Sequence, residues 1–273
     1  TVLWGLGLQL FFALFILKTP IGQPFFSAVD KIFLKLLSFS DAGSDFLFKS
    51  YGTGVVEGPL MNFAFRILPT IIFFSSLMAL LYHFGIMQRV IRWIAVTVQK
   101  TMGTSGSETL SVSANIFVGQ TESPLMVRPF INQMTMSELM AVMTGGFATV
   151  AGGVMAIYVA MLSNIPGIAG HLMAASIMSA PAALVMAKII FPETEESETL
   201  GDLRIEVERP DDNAMEALSR GATDGVKLAV NVGAMLVAFV AFIAMVNGIL
   251  GFVDLTIQQI LGWLFQPLAW TMG

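Results

Sequence analysis

The residues in this chain that could do chemistry lie close together. The run Asn115-Ile-Phe-Val-Gly-Gln-Thr-Glu-Ser-Pro124 carries two amides, two hydroxyls and a carboxylate within ten positions. Gln120 both donates and accepts hydrogen bonds, Thr121 adds a hydroxyl, and Glu122 accepts when ionised. Gly119 and Pro124 bracket a helix break, and broken helices expose free N–H or C=O groups. Such a set suits a polar organic ligand with several donors and acceptors. It does not suit a metal site, since no His or Cys is near. Nucleophilic catalysis is not favoured either: His83 and His171 are the only histidines, both near the ends of apolar stretches. The expectation is a protein that is not an enzyme. The plainer alternative is that these groups only satisfy one another inside a helical bundle.

Composition says where these groups sit. Of 273 residues, 55% are apolar and only 12% charged, about half the usual soluble share. The mean hydropathy is +0.77. A soluble domain cannot hide that much apolar surface. The expected fold class is an all-α polytopic membrane protein, because lipid-spanning backbone must bond within its own helix. The absence of Cys excludes a disulfide scaffold. With 14 bases against 19 acids and no basic cluster, nucleic acid is not an expected partner. Eleven of the acids and three of the bases fall between Glu193 and Asp224, a segment of net −8. The remaining 8 acids and 11 bases give a body of net +3. A carboxylate inside the membrane, such as Glu122, is therefore a functional candidate.

Several elements must position that run. Residues 2–17 are an apolar stretch stopped by Lys18 and Pro20, short of the roughly 20 residues of a span. It reads as the end of a helix that starts earlier, and both ends of the chain look cut. Residues 25–37 place Phe25, Val29, Ile32, Phe33 and Leu36 on one face against Asp30, Lys31 and Lys35. This pattern predicts an interfacial helix or an ordinary packed amphipathic one. Residues 38–58 read as a loop. Residues 67–82 make a span, with Arg66 able to snorkel. A second amphipathic stretch covers residues 86–98, with Trp93 at a headgroup boundary. Residues 104–133 are too polar for a lipid-facing span and carry a turn at their middle. They predict a re-entrant hairpin of two short helices, tolerated only where protein or water surrounds it. Residues 136–162 form a span with a soft centre at Thr144-Gly-Gly146, Thr149 and Gly152-Gly153. Either the small residues permit close packing or the helix is unwound there. Spans follow at 171–191 and 228–250, and a third interfacial candidate at 257–268.

Charge orients these elements. The loop at 163–170 carries no charge, whereas 188–227 holds five bases. The positive-inside rule puts the first outside and the second in the cytoplasm. The basic flanks around residues 85–103 and at Arg128 both favour the inside, so the segment between them turns back. The same parity puts Lys31, Lys35 and Lys49 outside, which conflicts with the rule. The later loops carry more weight. The acidic segment reads as a solvated cytoplasmic connector, against the alternative of a regulatory docking segment.

The run from Ser107 to Leu125 resembles the first hairpin of the concentrative nucleoside transporter family. The stretch Gly145-Gly-Phe-Ala-Thr-Val-Ala-Gly-Gly-Val154 resembles that family's broken fourth helix. Ala175 to Ala183 and Asp224 to Asn231 match it too. The resemblance implies cation-driven nucleoside symport by a multi-pass homotrimer in a bacterial inner membrane, by alternating access of a transport part against a scaffold. It implies that Gly119, Gln120, Thr121, Glu122 and Val154 contact the nucleobase. It implies a sodium site made by Asn115, Val118, Thr149 and Val150, with no organic cofactor. The domains expected are scaffold-type helices at 1–103, a transport-type part at 104–191, an acidic cytoplasmic loop at 192–227 and a scaffold-type part at 228–273. Proton coupling is the alternative, and a non-transporting membrane subunit a further one. The family's Asn-Glu-Phe motif, which serves the ribose, is not in this sequence, so that half of the site is expected further along a longer chain.

Overall fold

The computed structural model describes all residues except Thr1, Pro20, Ile21, Met61, Thr121, Glu122, Ser163, Glu198, residues 200–210 and Gly273. The side chain of Arg66 also lies outside what is described. The described residues are helical nearly throughout. Among the described residues, three helices are long and apolar enough to cross a membrane: Phe63–His83, Ile168–Ile190 and Ala214–Leu250. The chain divides into two units, Thr1–Val226 and Lys227–Gly273.

The first unit opens with α1 (Val2–Lys18), apolar along its length. Helix α2 (Gly22–Phe48) corrects one reading. Residues 38–48 are helical rather than loop, because Ser40 and Ser44 extend the buried face of Phe33 and Leu37 and find partners inside. Ser40 and Ser44 are buried and bond Thr70 and the Phe65 carbonyl, respectively. A π-type turn at Phe63–Ile67, capped by the Asn62 side chain, leads into α3 (Leu68–His83). Helix α4 (Ile86–Met102) buries Met87, Ile91, Ala95, Val98 and Met102, spaced by one turn or slightly less. Arg89, Arg92 and Trp93 lie exposed on its other side. Both of its ends are glycines with positive φ, Gly85 and Gly103, the conformation that stops a helix at least cost.

Helix α5 (Gly106–Ala114) is buried at all nine positions, though four of them are Ser or Thr and one is Glu108. A turn at 115–120 and a 3₁₀ stretch at Ser123–Gln133 follow. Helix α6 (Met136–Ala148) ends where Thr149 turns extended (φ −121°, ψ 152°), and α7 (Gly152–Met161) begins after Ala151. Helix α8 (Ile168–Ile190) continues through Pro181. Asp30 of α2 reaches it and accepts a 3.0 Å hydrogen bond from the Ala169 N–H, one of the free donors of its first turn.

Helix α9 (Ala214–Leu250) starts well inside the segment read as a loop at 192–227. Local capping explains the early start. Asn213 Oδ1 accepts from Glu216 N–H, and Arg220 holds Asp211 with two 2.7 Å hydrogen bonds. The paired guanidinium keeps the Asp211 carboxyl below the ordinary carboxylate range. Gly221 and Gly225 lie against α3, where a Cβ at Gly221 would sit 2.7 Å from the Ser76 Cα. In the second unit, α9 ends in a 3₁₀ turn, Gly251–Val253, and α10 (Ile257–Met272) follows. Asn247 ties the two helices, donating to Gln258 Oε1 and accepting from Ile257 N–H.

Candidate functional site

The site is built where α5 and the gap between α6 and α7 meet. The two helices α5 and α6 run side by side in the same direction. Near their starts, Ser107 donates to Glu138 at 3.1 Å. Further along, a Cβ on Gly145 would lie 2.8 Å from Val112 Cγ2 and 3.5 Å from Asn115 Nδ2. Beyond the ends of the helices, the Gly152 N–H donates to the Phe117 carbonyl at 2.9 Å. A Cβ on Gly152 would meet that carbonyl oxygen at 2.5 Å, and one on Gly146 would meet Gln120 Cβ at 3.4 Å. The glycines of the soft centre therefore serve close packing, and the chain is also non-helical at 149–151.

This packing brings Asn115 beside Gly145 and Phe117 against Gly152. Asn115 is 2% exposed and its Nδ2 has no hydrogen-bond partner. Val118 is buried, while Thr149 and Val150 are half-buried. The Thr149 hydroxyl donates to the Gly145 carbonyl at 2.7 Å, which leaves its oxygen lone pairs unused by that bond. A cavity of about 90 Å³ opens beside the gap, lined by Thr149, Val150 and Met155 and, from α8, by Ser176 and Ser179. Gly119 is half-buried, Gln120 exposed and Val154 half-buried. Thr121 and Glu122 lie outside the described residues.

A second polar layer lies at the other end of α5 and α6. Both helices begin with a capping box: Ser105 with Glu108, and Thr135 with Glu138. Lys188 of α8 sits between them, 2.8 Å from Glu108 Oε2, and donates to Ser137 Oγ at 2.9 Å. The contact with Glu108 is an ion pair by distance. The 3₁₀ stretch is fastened to α5 by Ser123 and Ser111, whose hydroxyls are 2.9 Å apart. None of these residues stood out as a site residue in the sequence. The spacing Ser-x-x-Glu and Thr-x-x-Glu was the available signal, as it marks helix starts. Among the described residues no group of His, Cys, Asp and Glu could hold a metal ion.

Comparison with known proteins identifies the chain. Residues 1–51 match the N-terminal region of Na+ dependent nucleoside transporters and residues 171–273 match the C-terminal region. Residues 64–165 match a nucleoside-recognition domain. An uncharacterised transporter of Bacillus subtilis is 42% identical over the whole chain, which covers 68% of that relative. The chain belongs to the family of Na+-dependent, concentrative nucleoside transporters. Sodium/nucleoside cotransporter 1 of Rattus norvegicus is 43% identical, again over the whole chain. This family consists of transporters rather than enzymes. Among solved structures, CNTnw in an inward-facing, substrate-bound state is 44% identical with a TM-score of 0.88. An outward-facing CNTnw variant gives 0.90 at the same identity. The chain covers 66% and 67% of those two chains, and 42% of the rat family member.

Proposed function

We propose that this chain belongs to a symporter that couples inward sodium movement to nucleoside uptake by alternating access. The observation that carries the reading is the bond from the Gly152 N–H to the Phe117 carbonyl. It joins the stem of the Gly-Gln-Thr-Glu tip to a backbone gap, and such gaps supply carbonyl ligands for cations in secondary transporters. In this reading residues 104–133 are a re-entrant hairpin and 136–162 a broken membrane helix. The complete burial of α5 supports the first, since a polar helix at membrane depth needs protein around it.

Sodium is then held by the Asn115 amide, the Thr149 hydroxyl and the carbonyls of Val118 and Val150. All four are hard oxygen donors of the kind alkali cations take. The unpartnered Nδ2 of Asn115 supports this, because a half-turn of the amide offers its oxygen at the same place. The nucleobase is bound by Gly119, Gln120, Thr121 and Glu122, with Val154 packing on it. The assembly is a homotrimer in the bacterial inner membrane.

Uptake of labelled uridine into proteoliposomes of the full-length protein tests the coupling. Uptake should fall to background when choline replaces sodium. Uptake unchanged in choline would remove sodium from the mechanism, and uptake driven by an inward proton gradient would put protons in its place.

A further inference from the structure

The acidic segment does not leave α8 as a free connector. Its first residues fold back across the starts of both α5 and α6. The Thr199 carbonyl accepts from the Gly106 N–H at 2.9 Å, and its hydroxyl oxygen accepts from the Ser107 N–H at 3.3 Å. Those N–H groups are among the four that the start of α5 leaves without an intrahelical partner. The same hydroxyl lies 2.9 Å from Ser107 Oγ and 3.2 Å from Glu138 Oε1 of α6. Ser197 donates to that carboxylate oxygen at 2.5 Å. Glu193 accepts from the Thr135 hydroxyl at 2.8 Å and sits 3.4 Å from the Lys188 ammonium. Thr199 is 8% exposed, so it lies inside this layer rather than on its surface.

We infer that residues 193–197 together with Thr199 are a strap that sets the spacing of α5 and α6, with Thr199 and Ser197 as positioning residues for the cation site at the far ends of those helices. The argument is geometric. From the strap, α5 runs nine residues and α6 thirteen, about 14 Å and 20 Å at 1.5 Å per residue. They carry Asn115 and Thr149 at their ends. Two parallel helices held at one end can still splay at the other. Gly145 and Gly152 make contacts there that only hold if the two helices stay close. The strap closes the open end of this pair by bonding α5 backbone and α6 carboxylate through the same hydroxyl. The inference rests on the proposed sodium-coupled function, because it takes 115–118 and 149–150 as the cation ligands.

The test uses Ser197→Ala/Thr199→Val and Thr199→Ser in the full-length protein, reconstituted in proteoliposomes. The double variant should raise the sodium concentration for half-maximal uridine uptake about tenfold. Maximal uptake at saturating sodium should stay within about twofold of wild type. Thr199→Ser, which keeps the hydroxyl, should restore the wild-type sodium dependence. Hydrogen exchange gives a readout without transport: amides at 105–110 and 135–139 should exchange faster in the double variant, and those of α8 should not. Unchanged sodium dependence and unchanged exchange in the double variant would overturn the strap. A loss of maximal uptake alone, with sodium affinity intact, would also overturn it. If wild-type uptake does not respond to sodium, the proposed function fails instead. Faster exchange at 105–110 and 135–139 would in that case still uphold the strap.

Discussion

At the scale of single residues, the chemistry of this chain is spread over two layers at opposite ends of α5 and α6. One holds Asn115, Thr149 and the Gly-Gln tip. The other holds Glu108, Glu138, Glu193 and Lys188. The second layer stabilises three carboxylates with one ammonium and two helix starts, each equivalent to about half a positive charge. Removing Lys188 leaves Glu108 buried without its counter-charge. Lys188→Met should therefore cost about 3–5 kcal/mol, read as a lower melting temperature and a smaller folded fraction in detergent. In the proposed nucleobase site, Glu122→Gln keeps the size of the side chain and removes its charge. Nucleoside binding to the full-length protein should weaken at least about tenfold, the loss of one charge-assisted hydrogen bond. Equal binding of labelled nucleoside by variant and wild type would take Glu122 out of the site.

At the scale of elements, close approach of backbone decides the arrangement. Gly152 begins α7 with its N–H on the Phe117 carbonyl, and there is no room for a Cβ. Alanine is the better helix former by about 1 kcal/mol. Gly152→Ala should nevertheless destabilise by about 1–3 kcal/mol through overpacking, and should lower sodium affinity by displacing the proposed ligands at 118 and 149–150. Thermal unfolding together with sodium titration of uptake checks both. The start of α9 is held differently, by the pair Asp211–Arg220. Asp211 titrates below its unfolded range, so its stabilisation is complete above the ordinary carboxylate range and is lost as pH falls through the depressed value. Asp211→Asn should lower the melting temperature at pH 7, and that difference should shrink as pH falls below the ordinary carboxylate range.

At the scale of the whole molecule, topology is the open variable that charge alone addresses. The uncharged loop at 163–170 is expected outside and the segment after α8 inside. These 273 residues contain no Cys, so single-cysteine labelling has no background from them. With any cysteine elsewhere in the protein removed, Asn164→Cys should react with an impermeant maleimide in intact cells. Glu195→Cys should react only after permeabilisation. The reverse pattern would invert the orientation and put the strap outside. The exposed apolar side chains of α9, such as Val237, Phe239 and Phe242, are suited to lipid or to further protein.

The membrane class, the spans expected at 67–82, 171–191 and 228–250, the amphipathic stretches and the family lay in the sequence. They rest on composition, on periodicity and on a run of ten residues, which are properties of neighbours along the chain. The length of α2 and the early start of α9 did not. Ser40, Ser44 and Asp211 look like loop residues until partners from Thr70, Phe65 and Arg220 satisfy them. The gap at 149–151 was half legible. Composition there pointed equally to unwinding and to packing and the resemblance favoured unwinding; the close approach of Gly152 to the Phe117 carbonyl was visible only in the structure. The layer around Lys188 and the strap across it were decided by tertiary structure alone. Their bonds join residues up to 92 positions apart, and no local pattern encodes which hydroxyl will meet which distant helix start.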